Sequence, residues 1–263
     1  MWGYEGVELR TFGAGDSRLA CEPALTDPAK VRGLCEGHGV EAASVASSGR
    51  YDGRIKPPVI GQLIGDPLAC VRATKRDVDV AIDVQAPIVR VFGFEIPKRE
   101  RRGAALKRIA ERLRLVCDCA RNNQVRIALQ NGGTFASAVE LAELIDRVDS
   151  PQLGASYDVV AGVAADDDPV EAIATLGARL IQARLGDYKD GAPVAPGEGE
   201  SRCKRFVEGL VESGFDGWLV YEWPRLFLHD IAGADEALPM AADAVYGWLS
   251  SAGAAADLPA ATA

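Results

Sequence analysis

No run of about 18 or more apolar residues occurs in this chain, so a membrane-spanning helix is not expected. The opening, MWGYEGVELR, has no basic region followed by an apolar one, so no signal peptide is expected. There is no block rich in Lys and Arg, and the formal net charge is −9. That speaks against nucleic acid or an anionic membrane surface as partner, while leaving room for a local cationic pocket that takes a small anion. The six cysteines (Cys21, Cys35, Cys70, Cys117, Cys119 and Cys203) form no C-x-x-C pair. Cys117 and Cys119 fall on different faces of a helical pattern. Reduced thiols in a cytoplasmic protein are expected, with neither a disulfide frame nor a zinc knuckle. Histidine is scarce: His38 sits at a helix end, and His229 follows the last strand near the expected mouth. For both, a structural or solvated role stands beside any chemical one.

What is present is ordinary for a globular α/β protein: 263 residues, 48% hydrophobic and 25% charged. Short β-branched or aliphatic runs at 7–10, 40–46, 88–92, 125–130, 153–158, 180–185 and 217–223 read as strands. Helical patterns fall between them, at 28–38, 68–84, 101–122, 134–148, 169–176, 201–213 and 238–249. Asp27 and Gly39 bracket the first helix, and Pro169 opens the fifth at its first position. Strands alternating with helices predict one parallel sheet of about seven βα units. A single domain is expected over 1–250, with a frayed tail at 251–263. The Gly/Pro-rich loop at 47–67 and the long loop after Leu185 both follow strands, the end at which a barrel carries its chemistry.

Several motifs, in order, carry a family resemblance. GYEGVELR at the start, VRVFGF at 89–94, IALQNGGTFAS at 127–137, GASYD at 154–158, ARLGDYKDG at 183–191 with PGEGE at 196–200, and GFDGWLVYEWP at 214–224 are the pieces. Together the chain resembles the xylose isomerase-like TIM barrels, the superfamily of sugar phosphate isomerases/epimerases, hydroxypyruvate isomerase-like proteins and type-2 AP endonucleases. The resemblance implies a (β/α)8-type barrel. The chain begins at the counterpart of the family's second strand, so either the start lies upstream or the barrel lacks its first strand. An open barrel would expose the edges at 7–10 and 218–222, which a partner subunit could cover, so a homo-oligomer is expected.

The resemblance also implies a divalent metal held by Glu, Asp, His and Glu at the tops of strands five to eight. Here those positions hold Gln130, Asp158, Arg184 and Glu222, and a further family His is replaced by Ala161. A guanidinium cannot be deprotonated to bind metal. No cofactor is therefore expected. The less favoured alternative is Mg, Mn or Zn on Gln130, Asp158 and Glu222. Strand alternation turns these four residues into one polar layer, with Gln182 and Leu180 inward and Ile181 outward. Buried Arg184 should lie against Asp158 or Glu222.

As what the resemblance implies, the expected chemistry is proton abstraction next to a carbonyl: isomerisation, dehydration or cyclisation of a small oxygenated metabolite. Glu222 is the candidate base. Arg184 is either the electrophile or a structural bridge, and Asp158 orients it. Candidate substrate contacts are Gln130, Arg10, Asp187, Lys189, His229 and Trp223. The Asp187 and Lys189 side chains are equally readable as loop braces. Arg90 and Arg126 read as an interior network with Glu8, and Gly197-Glu198-Gly199 as a turn and not a phosphate cradle. The second class of function is a non-catalytic degenerate barrel that binds a ligand or serves as a partner subunit.

Overall fold

The seven segments read as strands line up side by side and parallel in the computed structural model of the chain, which describes residues 2–12, 18–19, 27–53, 66, 68–93 and 95–253. They are β1 (Gly6–Phe12), β3 (Glu41–Arg50), β4 (Ile88–Phe92), β5 (Arg126–Gln130), β6 (Leu153–Asp158), β7 (Leu180–Leu185) and β10 (Trp218–Tyr221). Their order in the sheet is β10-β7-β6-β5-β4-β3-β1, with a two-residue β2 (Arg18–Leu19) antiparallel to the end of β1. Among the described residues the sheet curls into a nearly closed barrel of seven parallel strands, one short of eight. Its two parallel end strands, β1 and β10, are not paired with each other among the described residues.

Helices cover the outside. α1 (Pro28–His38) is capped by the Asp27 carboxylate and ended by Gly39 at φ +65, as its flanking residues predict. α2 (Ala69–Asp83), α3 (Arg102–Ala120), α4 (Ala138–Val148), α6 (Pro169–Leu176), α7 (Cys203–Glu212) and α8 (Ala234–Ser251) follow the helical patterns. Asp168 caps α6 ahead of Pro169. The main core lies between sheet and helices, with Ile109, Leu113, Ile127, Leu129, Leu141 and Phe206 fully buried.

The differences from the sequence reading have local causes. β3 runs on to Arg50, into what the glycines suggest is loop, and its register with β4 shifts between Ala46 and Arg50. Most of that loop, 54–65 and 67, lies outside the described residues, as do Cys21 and the tail at 254–263. α4 starts later than 134, because the Ser137 hydroxyl caps it while the Thr134 hydroxyl accepts from the Ile96 amide at 3.1 Å. α8 starts earlier than 238 and carries Pro239 inside its early turns. The short α5 (Val159–Ala164) and the hairpin β8 (Asp187–Lys189) with β9 (Ala192–Val194) are not evident from periodicity. The five described cysteines are free thiols.

One inward–outward assignment is reversed. Leu180 joins the outer core, and Ile181 joins Ile88, Ala128 and Trp218 on the floor of the barrel. The reason is a register shift between Ala155 and Ser156, which pairs Leu180 with Ala155 and Gln182 with Ser156. Simple alternation fails at such a step. The floor presses on two glycines: a Cβ at Gly154 would lie 2.7 Å from Ile181, and one at Gly6 would lie 2.8 Å from Trp218.

Between β1 and β10 runs a groove of about 920 Å³, lined by Val7, Trp218, Val220, Leu238, Ala242 and Tyr246 among others. In amide hydrogen exchange, β1 and β10 are expected to exchange ahead of β5 and β6. Equal protection of all four strands would show that the opening is paired in solution.

Candidate functional site

Above the apolar floor the barrel interior turns polar. The Ser156 hydroxyl donates to the Gln182 carbonyl at 2.7 Å, and the Gln182 amide donates to Ser44 at 2.9 Å. The Ser44 hydroxyl in turn donates to Glu8 at 2.8 Å. Glu8 rises from β1 into the barrel, and its carboxylate is the hub of the next layer.

Two buried guanidiniums converge on Glu8. Arg90 donates to it through Nε at 3.0 Å and Nη2 at 2.8 Å, a bidentate pair. Arg184 donates through Nη1 to both Glu8 oxygens, at 3.0 and 3.1 Å. From Arg90 the chain of bonds continues through Nη1 to the Gln130 carbonyl. The Gln130 amide donates to Asp158 Oδ2 at 3.1 Å. Asp158 Oδ1 accepts from the amides of Val160 and Ala161, at 2.9 and 3.4 Å, and so caps α5. From Arg184 the chain continues through Nη2 to Glu222 Oε2. Glu222 Oε1 accepts from Arg10 Nη2 at 2.6 Å. Arg10 lies over the Phe227 ring, 5.2 Å from its centroid.

The layer therefore draws on β1, β4, β5, β6 and β7 and on the residue that follows β10, while β3 supports it from below through Ser44. Gln130, Asp158, Arg184 and Glu222 do come together at the C-terminal mouth. Arg184 is 1% exposed and pairs with Glu222. Its second partner is Glu8, which the sequence reading assigns to a separate lower network. Asp158 does not orient Arg184: its carboxylate holds a helix end and Gln130. Asp158 therefore serves here as a cap. Arg126 does not enter the network. It begins β5 opposite Ile88, below Ala128, and its side chain has no partner among the described residues.

Charge explains the arrangement. Glu8, Asp158 and Glu222 stand against Arg10, Arg90 and Arg184, −3 against +3 with all ionised. Asp158, Glu222 and Arg184 alone would sum to −1, and Glu8, Arg90 and Arg10 bring the layer to balance. Burial alone would raise the pKa of Glu8. The adjoining Arg90 and Arg184 charges, with their hydrogen bonds, overcome that and hold it well below the usual carboxylate range. For Glu222, burial likewise opposes ionisation, and Arg184, Arg90 and Arg10 outweigh it, so its pKa falls. Asp158 goes the other way: burial pushes its carboxyl up, and the Arg184 charge only partly opposes this. Arg184 Nε is buried with no hydrogen-bond partner, the one donor of that guanidinium left over.

The remaining candidates scatter. Asp187 is buried and faces its own loop, where its carboxylate accepts from the amides of Tyr188, Gly197, Gly199 and Ser201, at 2.8 to 3.0 Å. It braces the loop, the second of the two roles its sequence position offered. The Gly-Glu-Gly turn wraps this carboxylate, and a Cβ at Gly199 would meet it at 2.3 Å. Lys189 is exposed on the hairpin, away from the polar layer's bonds, and His229 is exposed. Trp223 lines the groove, stacks on Tyr221 and donates its indole N–H to the Ala232 carbonyl at 2.8 Å. The residues that sequence reasoning undervalues are Glu8 and Arg90. The signal was the period-2 pairing of Glu8 with Arg10, which puts both on the inner face of β1.

This geometry meets the comparisons at one point. A family model described as xylose isomerase-like TIM barrel matches residues 1–244. The chain belongs to that family. Among solved structures, the xylose isomerase-like barrel resembles an L-ribulose 3-epimerase (15% identity, 98% of this chain and 90% of the other, TM-score 0.77). It also resembles a D-tagatose 3-epimerase-like protein (17% identity, 96% and 91%, TM-score 0.73). A third is a probable 3-DHS dehydratase involved in petrobactin synthesis from Bacillus anthracis (14% identity, 93% and 89%, TM-score 0.71). At such identities the likeness speaks to the fold. A search of curated proteins finds no match.

Glu8→Ala would leave two buried guanidiniums short of an acid, at a cost of about 3–5 kcal/mol in urea unfolding. Because the folded pKa of Glu8 is lowered, its stabilisation is present above the ordinary value of 4.5 and is lost as pH falls below it. The stability gap between wild type and Glu8→Ala should therefore narrow as pH is taken below about 4. A gap independent of pH would contradict Glu8 as the ionised hub.

Proposed function

We propose that this barrel is a sugar isomerase/epimerase-like enzyme that removes a proton next to a carbonyl in a small α-hydroxy carbonyl compound, with Glu222 as the base and without a metal. The observation that carries this reading is the placement of Glu222. It stands at the open mouth with its side chain 37% exposed and bonded only to guanidiniums, while Glu8 below it is 9% exposed and fully engaged, and Asp158 is tied to the α5 amides and Gln130. Family membership and the epimerase and dehydratase titles of the structural relatives support the reaction class. One base and no second free carboxylate favour isomerisation, dehydration or cyclisation over two-base epimerisation.

The metal-free part rests on the donor set. Of the family's four ligand positions, one is a cation. The Gln130 carbonyl is taken by Arg90, one Asp158 oxygen by helix amides, and both Glu222 oxygens by guanidiniums. A divalent ion at this point would face three positive charges and have to strip donors from each oxygen. The residues do not fit an ion. Arg184 is read as positioning Glu222 from below. Held from below by Glu8, it supplies a fixed positive charge toward an enediolate developing at the mouth.

A non-catalytic barrel is the second reading. It is favoured by the same saturation of the polar layer, since buried ion pairs commonly serve structure alone. Deuterium wash-in separates the two. Purified protein should exchange the carbon-bound protons of an α-hydroxy carbonyl probe such as dihydroxyacetone phosphate or hydroxypyruvate. Glu222→Gln should slow this by about a hundredfold or more while remaining folded. Prolonged EDTA treatment should leave the rate unchanged. Exchange that disappears with EDTA and returns with Mg, Mn or Zn would overturn the metal-free mechanism, and no exchange with any probe would favour the binding barrel.

A further inference from the structure

The three guanidiniums of the network are not held alike. Arg90 and Arg184 have side chains 2% exposed and are tied into Glu8 by two hydrogen bonds each, with a further bond upward. Arg10 is 29% exposed, and a single hydrogen bond, from Nη2 to Glu222, holds it. Its Nε and Nη1 have no partner among the described residues. Its Cζ lies over the ring of Phe227, itself 57% exposed, in the segment just past β10. A cation over an aromatic face is attracted without using its N–H donors, which stay available to an acceptor. Arg10 thus covers the mouth-facing oxygen of Glu222, the group the proposed reaction needs uncovered.

We propose that Arg10 recognises an oxyanion on the substrate, a carboxylate or a phosphate, and in doing so swings off Glu222, so that the base is exposed only when an anionic substrate fills the mouth. This rests on Glu222 being the base. Three features of the site carry it. Three acids and three arginines already balance, so an entering anion needs a cation that can be released to it, and Arg10 is the one at the rim. The fork of a guanidinium suits both candidate groups, which present two coplanar or near-coplanar oxygens. When Arg10 leaves, Glu222 keeps Arg184 and stays in place, so the carboxylate is freed without being set loose. A neutral polyol offers Arg10 nothing stronger than the carboxylate it already holds, so the site discriminates by charge before it discriminates by shape.

The test uses three probes of the same carbon skeleton size: dihydroxyacetone phosphate, hydroxypyruvate and neutral dihydroxyacetone. Titration calorimetry on the wild type should show at least one anionic probe binding about tenfold or more tighter than the neutral one. Which anion it is tells phosphate from carboxylate. Arg10→Met should abolish the preference while still unfolding cooperatively. Arg10→Lys, which keeps a point charge, should retain part of it, and it serves in its place if the methionine variant does not fold. Deuterium wash-in into neutral dihydroxyacetone should rise several-fold in Arg10→Met, because Glu222 is no longer covered. Equal wild-type affinities for the three probes, or a preference untouched by both variants, would overturn the proposal. A preference lost without any rise in neutral wash-in would overturn the release of Glu222. Charge preference without wash-in for any probe would instead strike the reading of Glu222 as base and leave anion recognition standing.

Discussion

The carboxylate of Glu8, gripped by Arg90 on one side and Arg184 on the other, is the contact on which the interior of this barrel depends. Either guanidinium alone would be a desolvated charge among apolar walls, and either would demand a counter-ion. Glu8 serves both at once. Below, Ser44 of β3 donates a hydrogen bond to it and is itself held by the Gln182 amide of β7, so the position of Glu8 is fixed from beneath. Above, each guanidinium extends one further nitrogen outward, Arg90 Nη1 toward Gln130 and Arg184 Nη2 toward Glu222. The orientation of every polar group at the mouth traces back to that one acid.

This differs from a metal centre in what it can do. An ion draws oxygen ligands radially and leaves coordination positions open to a substrate. A guanidinium network is planar and directional, and it spends most of its donors on its own acids. Of the ion pairs, the one that reaches solvent is at the rim: the carboxylate of Glu222 and the loosely held Arg10, 37% and 29% exposed. Asp158 illustrates how the network is closed off. It ends β6 at the mouth, yet burial pushes its pKa up, and one oxygen is given to the amides of Val160 and Ala161 in α5.

Much of this was legible in the sequence, for reasons specific to each residue. Pro28–His38, Ile88–Phe92, Leu153–Asp158, Pro169–Leu176 and Leu180–Leu185 fall where capping residues and aliphatic runs put them, because those signals are local. Alternation correctly turned Arg184, Gln182, Ser156 and Gln130 inward. It failed at Leu180 and Ile181, because a register shift is a property of two strands and leaves no mark in either. The pairing of Arg184 with an acid was forced by burial. Which acid was not, because Glu8 lies 176 positions away and only the curvature of the sheet brings it near. The short α5 and the β8–β9 hairpin escaped notice because each is held by one carboxylate, Asp158 or Asp187, and not by an apolar period.

The open side of the barrel and the unusual ligand positions meet in the same side chains. Strands across a missing neighbour stand too far apart for a backbone ladder, whose spacing is about 4.8 Å. Long side chains can cross that distance. Arg10 and Glu8 project from β1, at one edge of the opening, while Glu222 follows β10 at the other and Arg184 stands on β7 just behind it. The pairs Arg10–Glu222 and Glu8–Arg184 therefore join the two ends of the sheet where hydrogen bonds between strands cannot. A cation carried on a side chain, unlike a free ion, is anchored to one strand and can pull another toward it. That is why Arg184 at the end of β7 is coherent with a barrel whose end strands are unpaired among the described residues: it neutralises acids at the mouth and ties the sheet together in one contact.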